Sequence, residues 1–246
     1  MKILLLDVET APNTAHVWSL WGQNVSLAQL ISSSYILCWS AKWLGSKQAE
    51  YMDCNSNKHS LMIRRIHTLL SEADAVLHYN GKRFDIPVLN SAFLQLGLPP
   101  AKPFKQIDLY QVVKRNFRLP SNKLEYVARM LGLKGKVKHT GHDLWVRCMA
   151  GDKAAWRMMQ RYNKQDTQLL EQVYNKLLPW LHGVNLSTLS NSMCCPTCGT
   201  QNYKEKGFYY TESRKYTLYN CNKCYTWFRH RQSERLNQSR HTRVQL

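Results

Sequence analysis

The fold is decided by the first strand-like stretch of the chain, Lys2-Ile3-Leu4-Leu5-Leu6-Asp7-Val8-Glu9. Its uninterrupted apolar run is typical of a central strand of a sheet. Side chains at positions i and i+2 of a strand point to the same face, so Asp7 and Glu9 project together. We therefore expect two carboxylates side by side at the edge of a buried core.

Further carboxylates occur at two distant points of the chain. Asp85 follows residues 77–81, which predict a strand that runs into a glycine turn, and it precedes a new apolar segment. Tyr162 and Asp166 are four residues apart on a predicted helix, so they are neighbours on one helix face. Converging carboxylates repel one another unless a cation lies between them, and such hard oxygen ligands suit Mg²⁺ or Mn²⁺. A pair of these ions about 4 Å apart is the usual machinery for in-line cleavage of a phosphodiester.

In their order, spacing and context these segments resemble the DEDD superfamily of 3′–5′ exonucleases, which have a ribonuclease H-like fold. The matching motifs are residues 6–12, 80–89 and 162–166, and the second is close to the form found in the proofreading domain of family B DNA polymerases. The histidine variant of the family carries His at the position of Arg161, whereas Tyr162 matches the tyrosine variant. The resemblance covers residues 1–182.

The resemblance implies a catalytic set of Asp7, Glu9, Asp85, Tyr162 and Asp166 and a mechanism that uses two Mg²⁺ or Mn²⁺ ions. Asp7 would bridge both ions. Glu9 and Asp166 would hold the ion that binds the attacking water, and Asp85 would act on the second ion, partly through water. Because a phenol titrates near 10, we expect Tyr162 to orient the water by hydrogen bonding rather than to act as a strong base.

The charge balance of the chain favours a polyphosphate partner. Among the 246 residues, 34 Lys and Arg stand against 16 Asp and Glu, a formal net charge of +18. A generally basic, soluble surface would give the same total, but the cations cluster in residues 102–138, where ten of them oppose only Asp108 and Glu125. Neutralising phosphates releases counterions, so such a cluster favours nucleic acid.

The composition predicts a soluble, cytoplasmic protein. Forty-four per cent of the residues are hydrophobic, which is typical of a globular chain. No apolar run approaches the length of a membrane span, and the chain starts directly on a strand rather than on a signal peptide. We therefore expect no membrane partner.

The hydrophobic pattern predicts an α/β fold, a ribonuclease H-like mixed sheet flanked by helices. Predicted strands are residues 2–7, 16–21, 35–44, 49–53, 75–79 and 107–110, and predicted helices are residues 59–73, 86–96 and 122–131. Asp152 is a good N-cap for a long last helix, whose apolar stripe includes Tyr162 and Asp166. A carboxylate on a buried helix face is costly without a partner, and this placement is what a metal ligand requires.

A second module is predicted from the cysteines near the C-terminus. Cys195-Pro-Thr-Cys198 and Cys221-Asn-Lys-Cys224 have the spacing of a four-thiolate structural Zn²⁺ site, a zinc ribbon. A disulfide framework is the rival, and an intracellular setting disfavours it. Cys194 adjoins Cys195, and the Cys-x-x-Cys spacing favours the latter as ligand. The remaining cysteines, Cys38, Cys54 and Cys148, are expected to be small buried apolar residues.

These patterns divide the chain into a catalytic domain (residues 1–182), a linker (183–193), the zinc ribbon (194–232) and a basic flexible tail (233–246). Aromatic and cationic residues interleave in the ribbon, which predicts single-strand binding by base stacking and phosphate contacts, although part of the aromatics would form its core. Docking of a replication or repair protein is the other possible role. The residues expected to contact nucleic acid are Asn80, Phe84, Lys138, Tyr210, Arg214, Tyr216, Trp227 and Arg229.

With this resemblance, the sequence predicts a metal-dependent 3′–5′ exonuclease that acts on single-stranded DNA or frayed 3′ ends. The likeness to proofreading domains implies a role in replication or repair. Three alternatives remain open: an exoribonuclease, since tyrosine-type relatives also process RNA; an inactive nucleic-acid-binding adaptor; and a structure-specific endonuclease. The intact carboxylate set disfavours the adaptor. Contacts to the 2′-hydroxyl separate DNA from RNA substrates, and sequence does not reveal them.

Overall fold

The structure, a computed structural model, describes residues 1–135, 140–181 and 183–236. It divides into two units, Met1–Lys176 and Leu177–Leu246. The first unit is built on a five-stranded mixed sheet with helices on both faces, and the second on a small antiparallel sheet. The mixed sheet flanked by helices confirms the predicted architecture.

The strands of the large sheet are β1 (Ile3–Thr10), β4 (Ile36–Trp43), β5 (Glu50–Asp53), β6 (Ala75–His78) and β7 (Lys105–Asp108). Their order across the sheet is β5-β4-β1-β6-β7, with the first strand of the chain at the centre. Pairing is antiparallel between β1 and β4 and between β4 and β5, and parallel between β1 and β6 and between β6 and β7. The carboxyl ends of β1, β6 and β7 therefore meet at one edge of the sheet.

Alternation along β1 assigns its side chains to two cores. Leu4, Leu6 and Val8 belong to the core on one face, together with buried residues of α1 (His59–Glu72) and α2 (Asp85–Gln95). Asp7 and Glu9 have the opposite parity and therefore point to the other face. That face is covered by α5 (His142–Met149) and α6 (Lys153–Leu177), which contribute buried side chains including Trp156. The predicted pairing of Asp7 with Glu9 on one face is confirmed.

The long helix α6 begins as predicted. The Asp152 carboxylate accepts hydrogen bonds from the amides of Ala154 and Ala155 at 2.7 and 3.2 Å, so it caps the helix. Tyr162 and Asp166 are both buried on its apolar stripe. Among the described residues, no helix combines the length and the apolar composition that a membrane crossing requires.

Two predicted strands are wrong in whole or in part. Residues 16–21 form no strand in the described structure, and Trp18 is 99% exposed. The strands on either side, β2 (Thr14–Ala15) and β3 (Leu30–Ser32), are short and pair with each other. β-propensity does not make a strand where the side chains have no face to cover. The predicted strand at residues 107–110 ends instead at Asp108, whose carboxylate accepts from Tyr110 N at 3.1 Å and caps a helix.

That helix, α3 (Leu109–Asn116), and α5 were not predicted, whereas α4 (Leu124–Met130) lies within the predicted helix at residues 122–131. Both missed helices are only eight residues long, which gives too few turns for a clear periodic pattern. Of the three isolated cysteines, Cys38 and Cys148 are buried and Cys54 is half-buried.

The second unit contains the cysteine pairs. Its sheet has the strands β8 (Tyr203–Tyr210), β9 (Arg214–Cys221), β10 (Trp227–Arg229) and β11 (Glu234–Arg235). Strands β8, β10 and β11 each pair antiparallel with β9. A 3₁₀ helix, Leu186–Leu189, lies in the segment predicted as a linker, and Leu186 is buried and donates its amide to Pro196 O. Strand β11 falls within the predicted tail, whose residues 237–246 lie outside the described residues.

Candidate active site and metal centres

Three carboxylates from distant parts of the first unit meet at one point. Asp7 and Glu9 come from the carboxyl-terminal half of β1, and Asp166 comes from α6. One oxygen of each lies within 4.8 Å of the others. Asp166 is buried, and the other two are half-buried. Three carboxylates at this separation form a donor set of hard oxygens, which fits Mg²⁺ or Mn²⁺.

Asn163 holds the Asp7 carboxylate in place. Its amide Nδ2 donates to Asp7 Oδ2 at 2.6 Å and to the Asp7 carbonyl at 3.3 Å, and the residue is fully buried. Thr167, also fully buried, donates its hydroxyl to the Asn163 carbonyl at 3.1 Å. Asn163 was not among the predicted site residues, although its position three residues before Asp166 places it on the same helix face.

Asp85 lies beside this group rather than in it. It is the first residue of α2, and its Oδ1 accepts from the amide of Val8, the residue between Asp7 and Glu9, at 2.9 Å. Burial raises the pKa of Asp85 to about 7, although the Val8 hydrogen bond opposes this shift. Of the four carboxylates predicted to converge, three meet, and the fourth is hydrogen-bonded to the backbone of the strand that carries Asp7 and Glu9.

A buried polar cluster shapes the turn that delivers Asp85. Asn80 has a positive φ of 65°, and its amide donates to Asp108 Oδ1 at 2.8 Å. His78 is fully buried, with Nδ1 at 3.7 Å from Asp108 Oδ2 and Nε2 at 3.2 Å from Gln106 Oε1. Asp108 therefore connects the turn, β6 and the start of α3. In the sequence this residue stood out only as an acid among cations, and it was not among the predicted site residues.

Gly81 allows His78 and Asp85 to lie against each other. A Cβ at position 81 would lie 2.6 Å from His78 Cγ and 2.7 Å from Asp85 Oδ2. Real Cβ atoms essentially never show contacts under 3.0 Å. Only glycine fits at this turn without displacing one of the two side chains.

Tyr162 is buried beside the three carboxylates. Its ring packs edge-on against Trp145, with the ring centroids 6.0 Å apart. Burial raises the pKa of the Tyr162 phenol well above its usual range, and the neighbouring carboxylates, first Glu9, raise it further. The phenol therefore keeps its proton at neutral pH and acts as a hydrogen-bond donor.

A cleft of about 420 Å³ adjoins Tyr162. Its lining includes three tyrosines and two asparagines, and the rings of Tyr79 and Tyr110 meet edge-to-face with their centroids 5.9 Å apart. Phe84, expected to contact nucleic acid, is 42% exposed at the start of α2, whereas Lys138 lies outside the described residues. The cleft is lined by Tyr79, Asn80, Tyr110, Asn122, Lys123, Leu124, Glu125 and Tyr162.

In the second unit four thiols form a cluster with the geometry of a tetrahedral metal site. The Sγ atoms of Cys195 and Cys224 are 3.5 Å apart, and those of Cys198 and Cys221 are 3.7 Å apart. A tetrahedral zinc with Zn–S bonds of about 2.3 Å requires sulfur separations of about 3.8 Å, so the cluster fits Zn²⁺. Cys194 is buried but is not one of the four. All eight cysteines lie in the described residues, and none forms a disulfide.

The two cysteine pairs lie on equivalent tight turns. The amide of Gly199 donates to the Cys195 carbonyl at 2.9 Å, and that of Tyr225 donates to the Cys221 carbonyl at 2.9 Å. Both fifth positions have a positive φ, 71° at Gly199 and 59° at Tyr225. The Lys223 amide also donates to Cys221 Sγ at 3.4 Å. This Cys₄ cluster fits a zinc ribbon.

Comparison with known proteins establishes the family of the first unit. Residues 35–178 match the RNase_H_2 model of the RNase_H superfamily, which is more than half of the chain. The chain therefore belongs to the RNase_H superfamily, and the predicted ribonuclease H-like fold is confirmed.

Within this superfamily the chain is similar to family B DNA polymerases, as its motifs predicted. It is 24% identical over 204 residues to a DNA polymerase of Pyrococcus glycovorans, a match that covers 73% of this chain and 25% of that protein. The solved family B DNA polymerase of Pyrobaculum calidifontis shares the fold with a TM-score of 0.56 at 20% identity, over 72% of this chain and 24% of the polymerase. The chain spans about a quarter of the length of these relatives.

Proposed function

We propose that this chain is a metal-dependent 3′–5′ exonuclease that hydrolyses phosphodiester bonds of DNA at single-stranded or frayed 3′ ends. The observation that carries the proposal is the meeting of Asp7, Glu9 and Asp166 within 4.8 Å, beside a buried Tyr162. Membership of the RNase_H superfamily and similarity to DNA polymerases support a nuclease that uses divalent cations. Catalysis is assigned to residues 1–182.

Asp7, Glu9 and Asp166 would hold the Mg²⁺ or Mn²⁺, because their oxygens are close enough to share an ion. Asp85 would act on a second ion, partly through water, since it lies outside the group of three but is attached to the same strand. Bound ions of this kind lower the pKa of the attacking water and neutralise the charge on the leaving 3′-oxygen. The four thiols of the second unit would hold a structural Zn²⁺.

The side chains of the site would orient the reactants. The Tyr162 phenol, which keeps its proton, would donate a hydrogen bond to the attacking water and fix its direction. Asn163 restrains Asp7 through Nδ2, so the carboxylate is already in place before a substrate binds. The buried side chains packed around Tyr162, among them Trp156 and Met159, would exclude bulk water and strengthen each of these interactions.

The cleft beside Tyr162 would receive nucleotides at the 3′ end. Its rings offer faces for base stacking, and the amides of Asn80 and Asn122 offer hydrogen bonds to base edges or sugar. Exposed Phe84 would add an apolar contact at the start of α2. Because bases must be unpaired to enter such a cleft, it favours single-stranded or frayed ends over intact duplex.

The proposal is tested with DNA and RNA oligonucleotides labelled at the 5′ end and incubated with Mg²⁺, with Mn²⁺ or with EDTA. We expect a ladder of DNA products shortened stepwise from the 3′ end in either metal, none in EDTA, and none with Asp7→Ala. Internal cuts would overturn the exonuclease proposal, as would binding without cleavage. A ladder on RNA alone would overturn the assignment of DNA as substrate.

A further inference from the structure

Register in the sheet of the second unit separates its side chains into two faces. Tyr209 pairs with Tyr216, and Arg229 pairs with Leu218, two residues further along β9. Cross-strand partners and alternate residues share a face, so these four lie together. The face has Lys204, Tyr209, Arg214, Tyr216, Trp227 and Arg229 among its members, and we refer to it as the Arg229 face.

Charge is segregated between the two faces. The Arg229 face carries Lys204, Arg214 and Arg229, and Arg235 joins them because it pairs with Arg214. None of the described strand residues on this face is acidic. On the opposite face Lys215 forms an ion pair with Glu234 at 3.5 Å, and Glu205 adds a second carboxylate. One face is therefore cationic while the other is close to neutral, a division that fits a polyanionic partner.

Aromatic side chains lie on both faces of this sheet. On the opposite face the half-buried Tyr203, Tyr219 and Phe228 pack on one another, with ring centroids 5.3 to 5.6 Å apart. Phe208 and Tyr210, also on that face, are 44% and 58% exposed. On the Arg229 face Tyr209 is 48% exposed and Trp227 is 59% exposed. The two faces therefore differ in their charge rather than in the exposure of their rings.

The cations and rings of the Arg229 face are interleaved. The Arg229 guanidinium lies 4.0 Å from the ring centroid of Tyr216 and 4.9 Å from that of Tyr209. The rings of Tyr209 and Tyr216 are 6.5 Å apart and tilted by 55°. These stacked contacts hold long side chains in place, so less conformational entropy remains to be lost when a ligand binds.

We propose that the Arg229 face binds single-stranded nucleic acid, with bases stacked on Tyr209, Tyr216 and Trp227 and phosphates held by the cations between them. Ring faces accept unpaired bases of any identity, whereas a duplex offers its bases only as edges in the grooves. The four cations alone would also suit an acidic peptide, whereas the exposed rings between them favour a ligand with flat, stackable bases. Tyr210, expected to contact nucleic acid, lies on the opposite face, since it pairs with Lys215.

This inference deepens the proposed function and rests on it in one respect, namely that the strand bound is the strand degraded. An exonuclease must retain its substrate between cuts. Because the second unit is part of the same chain, a strand held on the Arg229 face stays at high local concentration near the catalytic carboxylates. The face would therefore raise the number of cuts per encounter.

Tyr209 and Tyr210 provide a matched pair for the test, because they are neighbours on β8, point to opposite faces and are 48% and 58% exposed. The full chain, loaded with Zn²⁺ and without added Mg²⁺, is titrated against a fluorescent single strand of about 20 nucleotides. We expect Tyr209→Ala to weaken binding about 5- to 100-fold and Tyr210→Ala to change it less than about 2-fold. Tyr209→Phe keeps the ring and should bind as the unchanged protein does.

Salt dependence supplies a second measurement. Arg229→Gln should make the slope of log affinity against log salt shallower by about 0.7, the value for one phosphate contact to a single strand. Zinc content and circular dichroism identify any variant that has lost its fold. If Tyr209→Ala has done so, Trp227→Ala replaces it in the binding titration.

Equal effects of Tyr209→Ala and Tyr210→Ala would overturn the inference, as would binding that none of the Arg229-face variants weakens. A protein-docking face would then remain. Because this binding requires no cleavage, its failure is distinct from failure of the exonuclease proposal, which the labelled-oligonucleotide ladder tests separately.

Discussion

Replacing Gly81 by alanine is expected to damage the site through one methyl group. The new Cβ would lie 2.6 Å from His78 Cγ and 2.7 Å from both His78 Cβ and Asp85 Oδ2, where ordinary contact begins at 3.4 Å. Each contact is thus about 0.7–0.8 Å too short. His78 is fully buried against Asp108 and Gln106, so it has little room to move. The displacement therefore falls mainly on Asp85.

The size of the effect follows from these contacts. Overpacking of a buried position costs about 1–3 kcal/mol of unfolding free energy. A carboxylate displaced by a sizeable fraction of 1 Å lowers the rate of the chemical step by about 10- to 100-fold. Binding of single strands to the Arg229 face should be unchanged, because the atoms nearest to the new methyl group belong to His78 and Asp85.

Gly135→Ala is the matched control, since among the described residues no atom lies within 4 Å of a Cβ at position 135, and its φ is not positive. The assays are denaturant unfolding and single-turnover hydrolysis of a labelled strand in Mg²⁺. Gly81→Ala should lose both stability and rate, whereas Gly135→Ala should lose neither by more than about 0.5 kcal/mol or a factor of about 2. If Gly81→Ala cleaves and unfolds like the unchanged protein, the reasoning about Asp85 is refuted.

Three further predictions concern the two metal centres. Asp7→Ala should abolish cleavage, whereas Tyr162→Phe should retain activity lowered about 2- to 13-fold, the worth of one orienting hydrogen bond. Asn163→Ala should weaken Mn²⁺ binding, measured by titration calorimetry, by about 10- to 100-fold, because it removes the group that orients Asp7. Cys198→Ser should lose the single bound Zn²⁺ and destabilise the second unit, whereas Cys194→Ser should keep it, as measured by metal analysis and circular dichroism.

Each of these predictions has an opposing result. Complete loss of cleavage in Tyr162→Phe, equal to that in Asp7→Ala, would contradict an orienting role for the phenol. Unchanged Mn²⁺ affinity in Asn163→Ala would show that the carboxylates need no such support. Loss of zinc from Cys194→Ser would contradict the ligand set of the thiol cluster.

Much of the first unit was predictable because its determinants are local. The apolar run before Asp7 indicates a central strand, the i, i+2 spacing pairs Asp7 with Glu9, and the i, i+4 spacing pairs Tyr162 with Asp166. The Asp152 cap was predictable for the same reason, since a cap acts within one turn. The prediction of a strand at residues 16–21 failed because β-propensity is realised only when a neighbouring strand or a core is available.

The sequence alone determined the family motifs, the four-thiolate spacing and the main strands and helices, because each depends on residues a few positions apart. Only the tertiary structure decided which long-range partners support the site. It brought Asn163 into hydrogen-bonding contact with Asp7, and Asp108 into contact with the amide of Asn80. It also left Asp85 beside the other carboxylates rather than among them. It also sorted the ribbon's aromatics, since a one-residue change of register moves every side chain of a strand to the other face.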